Sequence, residues 1–234
     1  MPPERSTVEA WLHVETERLL RTVDTFRDRD LSENSSLPGW SVGHLLTHIA
    51  RNADALCNLL SWARTGVEAP MYQSAQQRED DIKLGAVRPA EIIVTDVLDS
   101  AERLQSAATQ LSAVDWANEV VTAQGRSIPA GHVPWLRLRE VALHHVDLGA
   151  PIQELPAELV RALLDNVVAS TRGKADWPAL RIEVADSDTA AVEFGTTARV
   201  TGAPDQLLAW LIGRSAGSEL TSPPAGLPAL PAWL

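Results

Sequence analysis

Along the 234-residue chain, apolar positions first recur at helical spacing. Val8, Trp11, Leu12, Val14, Leu19, Val23 and Phe26 fit a helix over 6–28. "SENSSLPGW" interrupts the pattern with Ser, Pro and Gly. Ser41 suits the N-cap of a second helix over 42–65. Its apolar set is Leu45, Leu46, Ile49, Leu56, Leu59 and Leu60, and Gly66 suits its end. Residues 67–88 read as a polar connection. Pro89 opens a third helix, which runs through Ile92, Ile93, Val97, Leu98 and Leu104 to about Leu111. "TAQGRSIPAGHVP" reads as a loop. A fourth helix over 134–148 stops at Gly149 and Pro151. Four such helices predict a four-helix bundle.

After Pro151 the period changes. Residues 156–171 read as helix, and "LRIEVAD" alternates at period 2 like a half-buried strand. "AAVEFG" and "TARVTG" are two further short strands, "APDQLLAWLIGR" returns to helix, and the proline-rich "SPPAGLPALPAWL" is expected to lie extended. The expected fold class is therefore α+β: a helical bundle over 1–152 and a small α/β domain over 153–234, with no internal repeat.

Composition narrows the function. Hydrophobic residues make up 45% of the chain, enough for a sizeable core. The formal net charge is -11, from 31 acidic and 20 basic residues, which argues against nucleic acid or an anionic membrane as partner. One cysteine, Cys57, allows no intramolecular disulfide. The N-terminal stretch is charged and lacks the apolar core of a signal peptide, and no run of about 18 apolar residues exists. These features predict a cytoplasmic protein, taken as a monomer. The eight Trp are assigned to core and interface packing.

The segment "REVALHHVDLGA" carries the chemistry. Residues four apart on a helix differ by about 40° in direction and about 6 Å in height, so Glu140 and His144 share a face. The second helix holds a similar pair, His44 and His48. Bundle cores assemble metal sites from inward Glu and His, and three such ligands with one open position is the arrangement of catalytic zinc. Spacing alone does not choose between His44 and His48, or between His144 and His145. There is no HExxH motif.

With "GWSVGHLLTHIARNADALCNLLSWARTGVEAPMY", "TAQGRSIPA", "REVALHHVDLGA" and the Gly213–Arg214 pair, the chain resembles the mycothiol-dependent maleylpyruvate isomerase family, within the DinB-like metalloenzyme group. The resemblance spans nearly the whole length. It implies a DinB-like bundle with Zn2+ in its core, held by His48, Glu140 and His144, and an essential Arg214 in the C-terminal domain. It also implies mycothiol as thiol cofactor and maleylpyruvate as substrate. "GRSAGSELTSPP" follows the family pattern only loosely.

The implied reaction is chemically consistent. Two His and one Glu leave zinc a net charge near +1, and a coordinated thiol loses its proton. Conjugate addition of the thiolate to the cis alkene leaves a single bond. Rotation and elimination then give the trans alkene of fumarylpyruvate, as in gentisate-type aromatic breakdown. Arg214 suits a substrate carboxylate or the transient enolate, because its planar fork stays charged. Two other classes stay open: a mycothiol S-transferase using the same site on another electrophile, and a non-enzymatic DinB-like binding protein.

The neighbouring residues have plainer readings. His44 and His145 are assigned to packing or hydrogen bonding. Asp147, about one turn past His144, is either an acceptor for a ligand His or a solvated carboxylate. Cys57 is a small buried hydrophobe rather than a nucleophile. Arg126 is a loop arginine that faces solvent or reaches a substrate carboxylate.

Overall fold

A computed structural model of the chain describes residues 2–172, 174–185, 192–194, 198–222 and 226–231. Two compact units emerge, Pro2–Gly149 and Ala150–Leu234.

The first unit holds α1 (Arg5–Asp24), α2 (Val42–Thr65), α3 (Ala75–Ala86), α4 (Ala90–Thr109) and α5 (Val133–Asp147). The four long helices pack as a bundle, α2 against α4 and α5, and α1 against α5 and α4. Helix α2 is the central one and buries residues on every side, among them Leu45, Leu46, Ile49, Leu56 and Leu59. Its start is fixed chemically. Ser41 Oγ accepts from the His44 amide, and the His44 ring receives the Ser41 amide in return. Gly66, at φ 72°, ends it in the left-handed conformation that a β-carbon would disfavour. Helix α1 is shorter than its apolar pattern suggests, yet Phe26 beyond its end remains buried.

Two apolar clusters form the core. One gathers Leu19, Val23, Leu45, Leu46, Ile49, Val94, Val97 and Val141. The other gathers Leu56, Leu59, Leu60, Leu104, Val120, Ile128 and Val133. Each fully buried Leu contributes about 1.5–3 kcal/mol relative to exposure.

Two elements depart from the sequence reading. The connection over 67–88 contains α3, whose "AQQREDDIKLGA" has no apolar period because it buries only Ile82, Gly85 and Ala86. Local chemistry makes it a helix. Ser74 Oγ caps it by accepting from the Gln77 amide at 3.0 Å. Pairs four apart, Gln76–Asp80, Gln77–Asp81 and Lys83–Glu79, brace its outer face. The second departure is a hairpin. Residues 119–129, read partly as loop, form β1 (Glu119–Val121) antiparallel to β2 (Ser127–Pro129), with Val120 and Ile128 buried.

Close approach holds α3 on α2. A β-carbon on Gly43 would lie 2.5 Å from the Ala86 carbonyl oxygen, and one on Gly85 would lie 2.3 Å from Thr47 Cγ2. Glycine at both positions lets the helices meet, which sets the end of α3 against the first two turns of α2.

In the second unit, α6 (Ala157–Thr171) and α7 (Pro204–Leu211) pack together, and α7 also lies on β3 (Leu180–Val184) and β5 (Ala198–Gly202). The sheet order is β4-β3-β5, with β4 (Val192–Phe194) antiparallel and β5 parallel to β3. Leu180 and Ile182 pair with Ala198 and Val200 on the buried side. Of the sequence-read strand "AAVEFG", only 192–194 lie within the described residues. Of the proline-rich tail, 223–225 and 232–234 lie outside them, and 226–231 form neither helix nor strand. Among the described residues, no helix is long and apolar enough to cross a membrane.

Candidate metal centre

The N-terminal third of α2 and the second half of α5 bring His48, Glu140 and His144 together. Glu140 and His144 share a face of α5, as their four-residue separation requires. Glu140 Oε2 lies 2.9 Å from His48 Nε2 and 3.3 Å from His144 Nε2. The two imidazoles stand nearly perpendicular, with centroids 4.9 Å apart. One ligand atom from each residue falls within 4.8 Å of the others, and this is the one such group among the described residues.

The geometry fits a small dication. A tetrahedral ion bound at about 2.1 Å separates its donors by roughly 3.4 Å. The observed donor spacings through Glu140, 2.9 and 3.3 Å, are close to that edge. The donor set of two imidazoles and one carboxylate suits zinc or a neighbouring transition metal.

Surrounding groups orient the trio. Asp147 Oδ2 sits 2.8 Å from His144 Nδ1, which leaves Nε2 facing Glu140. Ser36 Oγ donates to Asp147 Oδ1 at 3.1 Å. The Trp40 ring meets His48 edge-on at 5.4 Å between centroids. Arg78 Nη2, from α3, reaches His48 Nδ1 at 3.2 Å.

Electrostatics follow from burial and pairing. Burial would raise the Glu140 carboxyl, but hydrogen bonds from His144 and His48 outweigh it and hold it well below the usual carboxylate range. Burial pushes His48 down against the pull of Glu140, so its ring is neutral and offers a lone pair. Burial also acts to lower His144, yet hydrogen bonds to Asp147 and Glu140 outweigh it and raise the ring. The site is thus an anionic carboxylate between two imidazoles.

The other sequence-flagged residues have different partners. His44 is half-buried, and its ring serves the Ser41 cap. His145 Nε2 lies 2.8 Å from Thr22 Oγ1, which ties α5 to α1. Asp147 is a buried partner of His144 rather than a solvated carboxylate. Burial pushes the Cys57 thiol up to about 11, so it is protonated and a poor nucleophile at neutral pH. Arg126 is exposed on the turn of the β1–β2 hairpin. Arg214 belongs to the second unit. Its amide closes on the Ala209 carbonyl at 2.7 Å, and its guanidinium donates to the Ile212 carbonyl at the end of α7.

Sequence reasoning missed three residues at the centre. Trp40 carries a signal, standing four residues before His44 and eight before His48, although composition alone assigns it to packing. Arg78 lies in the stretch read as connection, as does Tyr72, whose ring centroid is 5.6 Å from the Arg78 guanidinium carbon.

Residues 9–149 match the family model of the mycothiol maleylpyruvate isomerase N-terminal domain. The chain is also similar to a crystal structure of the mycothiol-dependent maleylpyruvate isomerase, at 29% identity and a TM-score of 0.89, covering 99% of this chain and 98% of that one. A crystal structure of a histidine-to-alanine mutant of the mycothiol-dependent maleylpyruvate isomerase superposes with a TM-score of 0.92, again at 29% identity over 99% and 98% of the two chains. No curated protein sequence matches the chain.

Proposed function

The chain belongs to the mycothiol maleylpyruvate isomerase family, and from that membership we propose that it converts maleylpyruvate to fumarylpyruvate with Zn2+ and mycothiol. The observation that carries the reading is the buried convergence of His48, Glu140 and His144 on one point. His48, Glu140 and His144 would hold zinc, which when bound would favour the deprotonated form of a thiol, the nucleophile whose reversible addition would make the alkene bond rotatable.

The chain's own residues do the rest. Glu140 contributes the anionic donor that leaves the centre one positive charge short of the free ion. Asp147 fixes the His144 ring so that Nε2 is the donor atom. Trp40 covers one edge of His48 and limits water there. We assign Arg214 to a substrate carboxylate or the enolate, where a charge-assisted pair strengthens as negative charge develops. Selectivity among thiols belongs to contacts with the sugar–inositol body of mycothiol, since the metal would activate any thiol.

Turnover of maleylpyruvate by the zinc-loaded protein tests this reading. Mycothiol should be required, and glutathione at equal concentration should support little reaction. Comparable rates with glutathione or cysteine, or isomerisation without thiol, would overturn it.

A further inference from the structure

Arg78 stands at the metal centre without the partner its chemistry prefers. It sits one turn into α3, half-buried, with Nη2 3.2 Å from His48 Nδ1 and its guanidinium carbon 5.6 Å from the Tyr72 ring centroid. Three other bundle arginines, Arg51, Arg88 and Arg103, are neutralised by Asp54 or Asp96. Among the described residues, no carboxylate lies within ion-pair reach of Arg78. The acids beside it on α3 are engaged along the helix, Glu79 with Lys83, Asp80 with Gln76 and Asp81 with Gln77. A half-buried guanidinium loses hydration, and a neutral ring nitrogen replaces it poorly compared with a carboxylate.

The contact with His48 is also incompatible with a loaded centre. Arginine only donates, so His48 Nδ1 is the acceptor and the ring proton faces Glu140 from Nε2. A ring whose Nε2 lone pair binds a cation carries its proton on Nδ1. Two donors would then meet, and Arg78 must turn to another acceptor. Tyr72 is at hand. Its ring centroid lies 5.6 Å from the Arg78 guanidinium carbon and its phenol feels the charges of Arg78 and Glu140, so the two residues border the centre together. Burial keeps that phenol protonated, and therefore able to donate.

We propose that Arg78, with the Tyr72 hydroxyl beside it, binds one carboxylate of the substrate at the metal centre. The inference rests on the isomerase reading, which supplies a substrate with a carboxylate at each end. Charge recognition by Arg78 then belongs to the substrate, because the sugar–inositol thiol carries no carboxylate.

The test uses succinate, an unreactive dicarboxylate, titrated calorimetrically into the zinc-loaded full chain without thiol. Zinc per chain is measured in parallel. Arg78→Ala should keep its zinc and bind succinate about ten- to a hundredfold more weakly, the scale of hydrogen bonds to charged groups. Arg78→Lys should recover part of the loss, and Tyr72→Phe should lose less than Arg78→Ala. Three results would overturn the proposal: unchanged succinate affinity in Arg78→Ala, no succinate binding by the wild type, or loss of zinc in Arg78→Ala, which would make Arg78 a clamp on His48. Turnover separates this failure from failure of the isomerase reading. Wild-type turnover with an unchanged KM in Arg78→Ala would defeat the carboxylate site alone. Absence of wild-type turnover, with Arg78-dependent succinate binding, would defeat the isomerase alone.

Discussion

Asp147 Oδ2 lies 2.8 Å from His144 Nδ1, and that pair decides which nitrogen His144 presents to Glu140. A carboxylate on Nδ1 fixes the tautomer and raises the basicity of the opposite nitrogen. Asp147→Asn should therefore keep the fold and weaken zinc about ten- to a hundredfold, the usual cost of removing such a support. Competition against a chelating dye reads this directly. An affinity equal to wild type would mean that Asp147 does not support His144 as a metal ligand.

Metal content tests the trio itself. Elemental analysis should find about one zinc per chain, with His144→Ala losing it. Zinc binds the folded chain, so its removal should lower the melting temperature. At a free concentration of 100 times Kd, the bound ion contributes about 2.7 kcal/mol. Full zinc retention in His144→Ala would remove that residue from the site.

Arg214 follows α7, and its guanidinium donates to the Ile212 carbonyl at that helix end. A purely local role would be worth about 0.3–1 kcal/mol of stability. The catalytic role predicts that Arg214→Ala retains zinc and fold yet loses roughly two or more orders of magnitude in kcat/KM, as on removal of a charge-stabilising donor. Arg214→Lys should rescue in part. Near-normal turnover with a slightly lower melting temperature would leave Arg214 a helix-end residue.

The seat of α3 rests on glycine. In Gly43→Ala the new methyl would be placed 2.5 Å from the Ala86 carbonyl oxygen and 3.2 Å from that of Leu31, both backbone atoms that yield little. Overpacking of this kind costs about 1–3 kcal/mol, enough to exceed the helix-propensity gain of about 1 kcal/mol. Urea unfolding should show a lower midpoint with an unchanged slope. A stabilised variant would mean that α3 moves freely on α2.

The long helices were legible because each buries an apolar stripe, and Ser41 and Gly66 mark the ends of α2 by chemistry that reads directly from sequence. Helix α3 was illegible for the opposite reason, since its stability comes from a Ser74 cap and side-chain pairs rather than from burial. The hairpin strands are three residues each, too short for period 2 to register. At the site, spacing gave Glu140 and His144 a common face but left two histidine choices open. Side-chain contacts in the fold distinguish them: His44 turns back to cap α2 at Ser41 and His145 reaches across to Thr22. Arg78 was beyond reach, because the helix that carries it went unread and only the approach of α3 to α2 brings it to His48.

In the proposed reaction the thiol returns unchanged after each cycle. Proton NMR of maleylpyruvate with the zinc-loaded chain and mycothiol at one hundredth of the substrate tests it most directly. The alkene signals should shift from cis to trans coupling over many equivalents of thiol, with free mycothiol undiminished at the end. Reaction that stops after one equivalent, with a stable thioether in place of the alkene, would contradict the account and make the protein a mycothiol S-transferase.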